Sequence, residues 1–457
     1  MRKNADDRNM RFDVIVVGAG TGGCMAAKTA AKAGLSVCLI DCKDAESIGN
    51  KVCGDAIGKH HFDNLGLSPP SGDELERKIV GIKVYSPDSE TVFRLAGEGL
   101  HGFIVNRHAF GQRLLNEAIN AGATLLDSMQ ALEPIVENGF VRGVVAKNRK
   151  TGSKRKLYGE ITVDASGQVA ALRRKLPPEI GIESSINKSD EVACYREIRL
   201  LREEVEEPEY CQIYLDLKVA PGGYYWIFPK KETGVNVGLG VAIIGDFPNP
   251  RNQLYRFVLN KPLFEGSAIV HGGGGIVPTR RPLDSFVGNG IVVIGDAACH
   301  VNPIHGGGMG PSMMAGKIAG EVMAEALEKG DPTVDNLWPI NVRYMKAYGA
   351  KQAGLDVFRI FLQSLTNEDI NYGMKYELIK GEDILKASLE GDVRLNVTDA
   401  ARRVFMGLGR ISFLRKLYDM AKKSRLVKEL YEGYPQSPAG MLEWRLKIKK
   451  IFEDLKR

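Results

Sequence analysis

A glycine-rich segment and an acidic residue downstream have the spacing of a dinucleotide-binding site. Gly18–Gly23 (GAGTGG) contains the G-x-G-x-x-G pattern, and Asp41 follows about 20 residues later. Glycine lets the backbone approach a pyrophosphate at a helix N-terminus, where free N–H groups and the helix dipole favour an anion. The carboxylate suits a ribose hydroxyl. The segment therefore predicts a dinucleotide site.

Four further loops carry the small and polar residues that a bound cofactor needs. They are Cys53–Ala56, Asp164–Gly167, Gly295–Asp296 and His305–Gly308. The last precedes a helix start, which is a second geometry for binding an anion or a carbonyl group. A simple turn is the alternative for each of the first two loops. Because the pieces are far apart in sequence, and no second strand, G-x-G-x-x-G, helix unit exists for a nicotinamide nucleotide, they favour FAD over NAD.

The most aromatic stretch of the chain is Pro221–Pro229 (PGGYYWIFP). Aromatic clusters usually belong to a core. Here Tyr224, Trp226 and Phe228 also offer a rigid apolar wall with polar tips, which suits a pocket for an alkyl chain. Both interpretations stay open at this point.

Histidine, arginine and cysteine residues give weaker signals. His300 and His305 lie in one loop without further ligands, so we expect loop packing or a cofactor contact and no metal. Arg280 and Arg281 are candidates for holding a phosphate or diphosphate headgroup, with solvent-facing arginines as the alternative. The seven cysteines include no C-x-x-C pair, and Gly58 stands where a C-x-x-x-x-C redox pair would have its second cysteine.

The hydrophobic pattern predicts the elements that position these groups. Val14–Val17 is expected as a buried strand, Met25–Ala33 as a helix and Leu35–Ile40 as a second strand. The C-terminal part is expected to be helical, with an apolar face that includes Leu414 and Tyr418.

We expect three domains. Residues 1–78, 106–176 and 286–330 are predicted to form a discontinuous FAD-binding domain, 79–105 and 177–285 a β-sheet substrate domain, and 331–457 a helical domain.

Composition and charge limit the classes of protein that fit. No run of 18 apolar residues predicts a spanning helix, and the polar first eleven residues do not resemble a secretory signal, so we expect a cytoplasmic protein. Residues 401–457 hold 15 Lys or Arg against 6 Asp or Glu. A solvated helical face is one interpretation. We favour peripheral contact with the cytoplasmic face of an anionic membrane. No motif indicates nucleic-acid binding.

Together the motifs resemble flavoproteins of the p-hydroxybenzoate hydroxylase type. The matching segments are GAGTGG with Asp41, CGD at 53–55, Asn106-Arg107 before a helix, DASG at 164–167 and GDA at 295–297. Within this group, P-x-x-Y-x-W-x-F-P at 221–229 and NPIHGGG at 302–308 resemble the archaeal-type geranylgeranyl reductases. The resemblance covers most of the chain, including the helical tail.

The resemblance implies an α/β fold. It comprises a Rossmann-like FAD-binding domain of the glutathione reductase type, an antiparallel-sheet substrate domain and a C-terminal helical domain. It also implies reduction of the isolated C=C bonds of geranylgeranyl lipids or geranylgeranyl diphosphate, by hydride transfer from reduced flavin N5 plus protonation. The electron donor, a ferredoxin-like protein or a reduced nucleotide, is not identified by any motif.

Site residues follow from the resemblance and from the loops. The family's FAD contacts correspond to Gly22, Asp41, Cys53, Gly54, Ala56, Arg107, Ala131, Asp296, Gly308 and Met309. The loops themselves add Gly18, Gly20, Gly23, Asp55 and Gly307. The candidate catalytic residues are Cys53, Tyr224 and Trp226, and the candidate substrate contacts are Tyr224, Trp226, Phe228, Arg280 and His305. Cys53 either relays a proton or is a small residue that accommodates the flavin ring. Thr21 replaces the family's usual proline, with little consequence for the loop backbone.

Two other functions are compatible with the same motifs. A flavin monooxygenase acting on an apolar substrate would use oxygen and a reduced nucleotide with this fold, although the aromatic stretch and the helical tail speak against it. A flavin-bearing lipid carrier would bind prenyl lipid without turnover.

Overall fold

The computed structural model describes residues 10–97, 99–378 and 411–455, which form three β-sheets and a set of helices. The strands are β1 (Met10–Val17), β2 (Val37–Ile40), β3 (Ala56–Gly58), β4 (Leu75–Ile79), β5 (Gly81–Tyr85), β6 (Val92–Ala96), β7 (Gly102–Val105), β8 (Thr124–Leu126), β9 (Met129–Glu137), β10 (Phe140–Asn148), β11 (Lys154–Asp164), β12 (Glu191–Leu200), β13 (Tyr210–Tyr214), β14 (Tyr224–Pro229), β15 (Gly234–Ala242), β16 (Ala268–Pro278), β17 (Val287–Gly288) and β18 (Ile291–Val293). The α-helices are α1 (Thr21–Lys32), α2 (Lys59–Leu65), α3 (Arg107–Asn120), α4 (Pro250–Gln253), α5 (Met309–Lys329), α6 (Val334–Leu337), α7 (Pro339–Tyr344), α8 (Ala350–Gln363), α9 (Asn367–Lys375), α10 (Ile411–Glu432) and α11 (Met441–Leu455).

The first sheet confirms the predicted strand–helix–strand unit. Its order is β17-β18-β11-β1-β2-β8, with β10 and β9 added beside β11, and its central strands are parallel. The predicted strand Val14–Val17 is buried throughout, as expected for a parallel strand covered on both faces. Because parallel strands end at the same edge, the loops that follow β1, β2, β11 and β18 meet there.

Helix α1 begins at Thr21, four residues before the predicted start at Met25. Gly22 and Gly23 lie inside α1, where close contacts with neighbouring backbone leave little room for side chains. A Cβ atom at Gly23 would collide with the Gly18 carbonyl oxygen, and one at Gly316 of α5 would collide with the Gly22 carbonyl oxygen. The glycines therefore allow close packing of α1 on α5 as well as the loop that precedes the helix.

The second sheet has the order β16-β12-β15-β14-β13-β5-β6 and is antiparallel except for the β13–β5 pair. Side chains alternate between its faces along β14. Trp226 and Phe228 belong to one buried cluster, with Tyr224 packed against it, while Tyr225 and Ile227 belong to another cluster on the opposite face. The small third sheet, β3-β7-β4, begins directly after the Cys53–Ala56 loop.

The C-terminal helices share a core with the first sheet. Trp338 and Trp444 belong to the same buried cluster as Val14, and the Trp338 Nε1–H donates to the Pro435 carbonyl oxygen at 2.8 Å. The division into three domains therefore stays a prediction. None of the helices within the described ranges is long and apolar enough to cross a bilayer.

The predicted apolar face of α10 is right at Leu414, which packs partly buried against the core, and wrong at Tyr418. Tyr418 is 64% exposed, whereas Phe413, Leu417 and Met420 are buried. The apolar residues lie on adjacent stripes of the helix, and only packing against α8 decides which stripe is covered.

Candidate functional site

The glycine loop and Asp41 meet at the carboxyl edge of the first sheet, as their spacing predicts. The Ala19 backbone N–H donates to the Asp41 carboxylate at 2.8 Å. Ala131 lies on β9, whose first residue, Met129, donates its backbone N–H to the Asp41 carbonyl oxygen at 2.6 Å. These contacts bring the first group of predicted FAD-binding residues together.

Arg107 is a cation that would suit an anionic cofactor. It is the first residue of α3, and the preceding Asn106 caps this helix by accepting backbone N–H groups of His108 and Ala109 at 3.1 and 3.2 Å. The Arg107 side chain is buried, yet its Nε and Nη1 have no hydrogen-bond partner among the described residues. Leaving such donors unpaired costs about 1–3 kcal/mol. A bound phosphate would remove this cost.

Asp296 joins two further loops to the site. Its Oδ2 lies 3.0 Å from Lys51 Nζ, and a Cβ atom at Gly308 would lie 3.2 Å from its Oδ1. The Asp296 carboxylate raises the pKa of Lys51. Residues from three distant segments thus converge on one carboxylate, and Met309 follows as the first residue of α5.

The convergent groups fit FAD. The glycine loop and the unpaired Arg107 nitrogens suit the pyrophosphate, Asp41 suits the ribose, and the Lys51–Asp296 pair with Gly308 offers polar partners for the rest of the cofactor. Gly20 leaves open space beside its Cα, so a ligand has room to approach the loop backbone there.

The aromatic wall consists of Tyr224, Trp226 and Phe228 on one face of β14. It lies against the Cys53–Ala56 loop, since a Cβ atom at Gly54 would be 3.2 Å from Phe228 Cε2 and 4.0 Å from Trp226 Nε1. The rings of Trp226 and Phe228 are 6.1 Å apart between centroids. The wall therefore belongs to a core and borders the predicted FAD loop, and its role as a substrate site stays a prediction.

Tyr224 connects the wall to the glycine-rich loop before α5. Its hydroxyl donates to the His305 carbonyl oxygen at 2.7 Å, and burial raises its pKa, so the phenol stays protonated. The His305 imidazole is exposed to solvent, but the surrounding protein lowers its pKa to about 4. His300, in contrast, is fully buried and packs against Tyr344, as loop packing predicts.

A group of basic side chains beyond His305 was not predicted from the sequence. We call His60, His61, His305 and Lys351 the basic cluster, because His60, His305 and Lys351 each influence the pKa of at least one other member. The ring centroids of His60 and His61 are 4.0 Å apart. Burial lowers the pKa of Lys351 to about 8. These residues come from α2, the loop before α5 and α8, so no local spacing signals them.

Arg280 and Arg281 each lie beside a carboxylate. Arg280 is buried beside Glu183 at 3.6 Å. Arg281 pairs with Asp356 at 3.3 Å and lies 3.8 Å above the centroid of the Phe452 ring. The solvent-facing alternative is wrong for both residues. Their partners come from distant segments, and the role of Arg280 as a substrate contact stays a prediction.

Family models match two parts of the chain. The model described as geranylgeranyl reductase catalytic domain matches residues 190–277, which include the aromatic wall. The model described as glucose inhibited division protein A matches residues 13–155, which include the glycine loop.

Solved structures share the fold. A geranylgeranyl bacteriochlorophyll reductase-like protein from Thermoplasma acidophilum superposes with a TM-score of 0.75 at 24% identity, covering 90% of this chain and 100% of its own. The myxobacterial chondrochloren halogenase, an FAD-dependent halogenase, superposes with a TM-score of 0.63 at 16% identity, covering 88% and 97%. The predicted α/β fold class is confirmed.

Relatives of nearly the same length carry one name. Digeranylgeranylglycerophospholipid reductase of Sulfolobus acidocaldarius is 43% identical over 98% of this chain and 99% of its own length. The enzyme of the same name from Methanothrix thermoacetophila is 34% identical over 84% of this chain and 96% of its own. The chain therefore belongs to the digeranylgeranylglycerophospholipid reductase family and is an FAD-dependent oxidoreductase.

Proposed function

We propose that this chain saturates the isolated C=C bonds of geranylgeranyl chains in membrane lipid synthesis, on digeranylgeranylglycerophospholipid and on geranylgeranyl diphosphate. One observation carries the proposal: the Gly54 backbone of the predicted FAD loop lies directly against the aromatic rings of Trp226 and Phe228. A cofactor held by that loop would share one cleft with an apolar chain lying along the wall.

The residues that would hold FAD are those that converge at the sheet edge. Gly18–Gly23 and Arg107 would bind the pyrophosphate, Asp41 the ribose, and Asp296 with Gly308 the remaining polar groups. When bound and reduced, FAD supplies a hydride equivalent at its N5 atom.

The wall addresses the main difficulty of the substrate. A trisubstituted alkene has no carbonyl group to polarise, so positive charge that develops on carbon must be shielded from water. Tyr224 and Trp226 present aromatic faces, which tolerate partial positive charge. The wall also positions the alkene, and such positioning lowers the barrier.

Cys53 is the candidate proton donor beside the wall. The Cys53 thiol lies within electrostatic range of Tyr224 and of Lys51. Its loop is held in place by hydrogen bonds to the Cys53 carbonyl oxygen from Asn236 and Arg196, at 2.8 and 3.2 Å. We assign Cys53 the role of proton relay.

The basic cluster is suited to a phosphate or diphosphate headgroup. His61 contacts Gly310 in the first turn of α5, where the helix dipole favours an anion. The buried Asn302 side chain leaves its Nδ2 donor without a partner among the described residues. Lys351 lies 5.1 Å from the Tyr348 ring centroid, and no carboxylate forms an ion pair with it in the described ranges. Lys351 supplies positive charge at neutral pH, and the imidazoles, whose pKa values are lowered, can donate hydrogen bonds as neutral rings.

The basic cluster makes substrate binding depend on pH. Lys351 is cationic below its pKa of about 8 and neutral above it, so it loses its attraction for phosphate as the pH rises through 8. We expect the KM for geranylgeranyl diphosphate to rise about 10-fold between pH 7 and pH 9, because a lost charge-assisted hydrogen bond is worth about 1.5–3 kcal/mol. The KM for uncharged geranylgeraniol should stay constant.

Two variants isolate the contribution of this lysine. Lys351→Gln should raise the KM for the diphosphate at pH 7 and remove its pH dependence. The exposed Lys346→Gln is the matched control and should change neither. An equal rise in KM for both substrates, or a constant KM for the diphosphate, would contradict the role of Lys351.

We also propose contact with an anionic membrane through α11. Leu442 and Leu446 lie one turn apart on this helix and are 74% and 61% exposed, and Lys449 and Lys450 are exposed in the next turn. Exposed leucines among lysines are typical of an interfacial helix. Each Lys near an anionic bilayer contributes about 1 kcal/mol.

Vesicle sedimentation tests this surface. Replacing Leu442 and Leu446 with serine should lower binding to vesicles of anionic lipid at least about 10-fold. The control replaces Ile269 and Val270, exposed on the edge strand β16, with serine and should leave binding unchanged. Unaltered binding of the leucine variant would refute this membrane surface.

Oxygen dependence separates the proposed reductase from a monooxygenase. Protein reduced with dithionite under argon should saturate the lipid, which also removes the need for the natural electron donor. Turnover that requires air and inserts labelled oxygen into the lipid would refute the proposal.

A further inference from the structure

Asn236 links the aromatic wall to the predicted FAD loop. It lies on β15 opposite Phe228 of β14 and is completely buried, with 0% of its surface exposed. Its Oδ1 accepts from Trp226 Nε1–H at 3.0 Å. Its Nδ2 donates to the Cys53 carbonyl oxygen at 2.8 Å and to Asp55 Oδ2 at 2.8 Å. One side chain thus bonds both the aromatic wall and the predicted FAD loop.

The partners of Asn236 permit only one orientation of its amide. Both groups near Nδ2 are acceptors, and the indole nitrogen of Trp226 is a donor only. Rotating the amide by half a turn would place oxygen against two oxygens and an NH₂ group against an N–H group. No residue with fewer than two donors and one acceptor can replace all three bonds.

The Cys53–Asp55 loop, which Asn236 bonds, is also held by other contacts. Asp55 is buried and has a positive φ of 66°, in the left-handed region. Its Oδ2 also lies 3.3 Å from Lys230 Nζ, and Arg196 Nε donates to the Cys53 carbonyl oxygen at 3.2 Å. Because these groups are buried, breaking a bond by moving the loop leaves unpaired polar atoms in the core.

We propose that Asn236 is a positioning residue for alkene reduction: it fixes the plane of the Trp226 indole relative to the Cys53–Asp55 loop. The inference rests on the proposed function, since the indole is assigned to the substrate wall. Asn236 itself acts only through Trp226 and the loop. Misplacing reacting groups by about 1 Å can cost about 100-fold in rate.

The first test measures the link without turnover. The chain contains three tryptophans, so ¹⁵N-tryptophan labelling gives three indole N–H signals, and Trp226→Phe assigns one of them. Trp338 and Trp444 donate to backbone carbonyl oxygens at 2.8 and 2.9 Å and serve as internal references. Asn236→Leu should shift the Trp226 signal and speed its hydrogen exchange at least about 10-fold while the references stay unchanged.

A matched variant controls for the loss of a buried asparagine. Asn341 is also fully buried, and its side chain bonds Phe286 N–H and Ser285 Oγ at 3.1 and 3.0 Å, neither of which belongs to the wall. Asn341→Leu should leave the Trp226 signal unchanged. An unchanged Trp226 signal in Asn236→Leu would overturn the proposal.

The second test is a double-mutant cycle on turnover. Asn236→Leu should keep FAD, lower kcat about 10- to 100-fold and change KM little. In the Trp226→Phe background the same substitution should have a much smaller effect, because the indole N–H is already absent. If Asn236→Leu loses FAD, Asn236→Ser replaces it in the cycle. Equal effects in both backgrounds, or loss of FAD from every Asn236 variant, would overturn the proposal.

Failure of the proposed function has a different signature. If the unaltered protein reduces no prenyl lipid, the proposed function is refuted. The exchange measurement then still decides whether Asn236 holds Trp226.

Discussion

Asp296→Ala is expected to purify nearly free of FAD. The Asp296 carboxylate lies between Lys51 Nζ, at 3.0 Å, and the start of α5 at Gly308. Its removal takes away an acceptor for cofactor hydroxyl groups and leaves Lys51 without its partner. A hydrogen bond to a charged group is worth about 1.5–3 kcal/mol, so the Kd for FAD should rise about 10- to 100-fold.

The ratio of flavin absorbance to protein and an FAD titration of the apoprotein measure this effect. The control is Glu325→Ala, which removes a carboxylate from the far end of α5, where it pairs with Arg343 at 2.7 Å. This control should keep its flavin. Full FAD content in Asp296→Ala would remove Asp296 from the cofactor site.

Tyr224→Ala is expected to keep FAD and lose most of its reductase activity. Tyr224 is half-buried at the edge of the wall, and its hydroxyl holds the His305 carbonyl oxygen at 2.7 Å. A desolvated aromatic face stabilises a cation by about 2 kcal/mol. Its loss should lower kcat/KM about 30-fold, and the number of bonds reduced per chain should change because the wall loses one side.

The neighbouring tyrosine provides the control. Tyr225 lies on the opposite face of β14, stacked on Tyr214 with ring centroids 4.4 Å apart. Tyr225→Ala removes a tyrosine side chain from the buried cluster on the face of β14 opposite the wall. It should therefore lower the thermal stability without altering the products. Equal loss of turnover in both variants, or loss of FAD from Tyr224→Ala, would show that β14 is only structural.

Local sequence patterns predict the strand–helix–strand unit of the first sheet well. The strand before Gly18, the helix after it and Asp41 are signalled within about 30 residues, and parallel strands bring such loops to one edge without further information. The start of α1 was missed because Gly22 and Gly23 signal a loop. Only their contacts with Gly18 and Gly316 show that they are helical.

Long-range partners could not be predicted from the sequence. The environment of Arg281 depends on Asp356 and Phe452, and the basic cluster depends on α2 meeting α8. Asn236 lies on a strand without any motif, and its three bonds reach residues 10 to 183 positions away. The fold alone brings such residues together, so sequence spacing carried no signal for them.

Mass spectrometry of the lipid tests the central claim most directly. The flavin is reduced under argon, and digeranylgeranylglycerophospholipid is added and then extracted. We predict a gain of two hydrogen atoms for each saturated bond, with no gain from oxidised protein. Unchanged lipid mass, with the flavin still reduced under argon, would contradict the account.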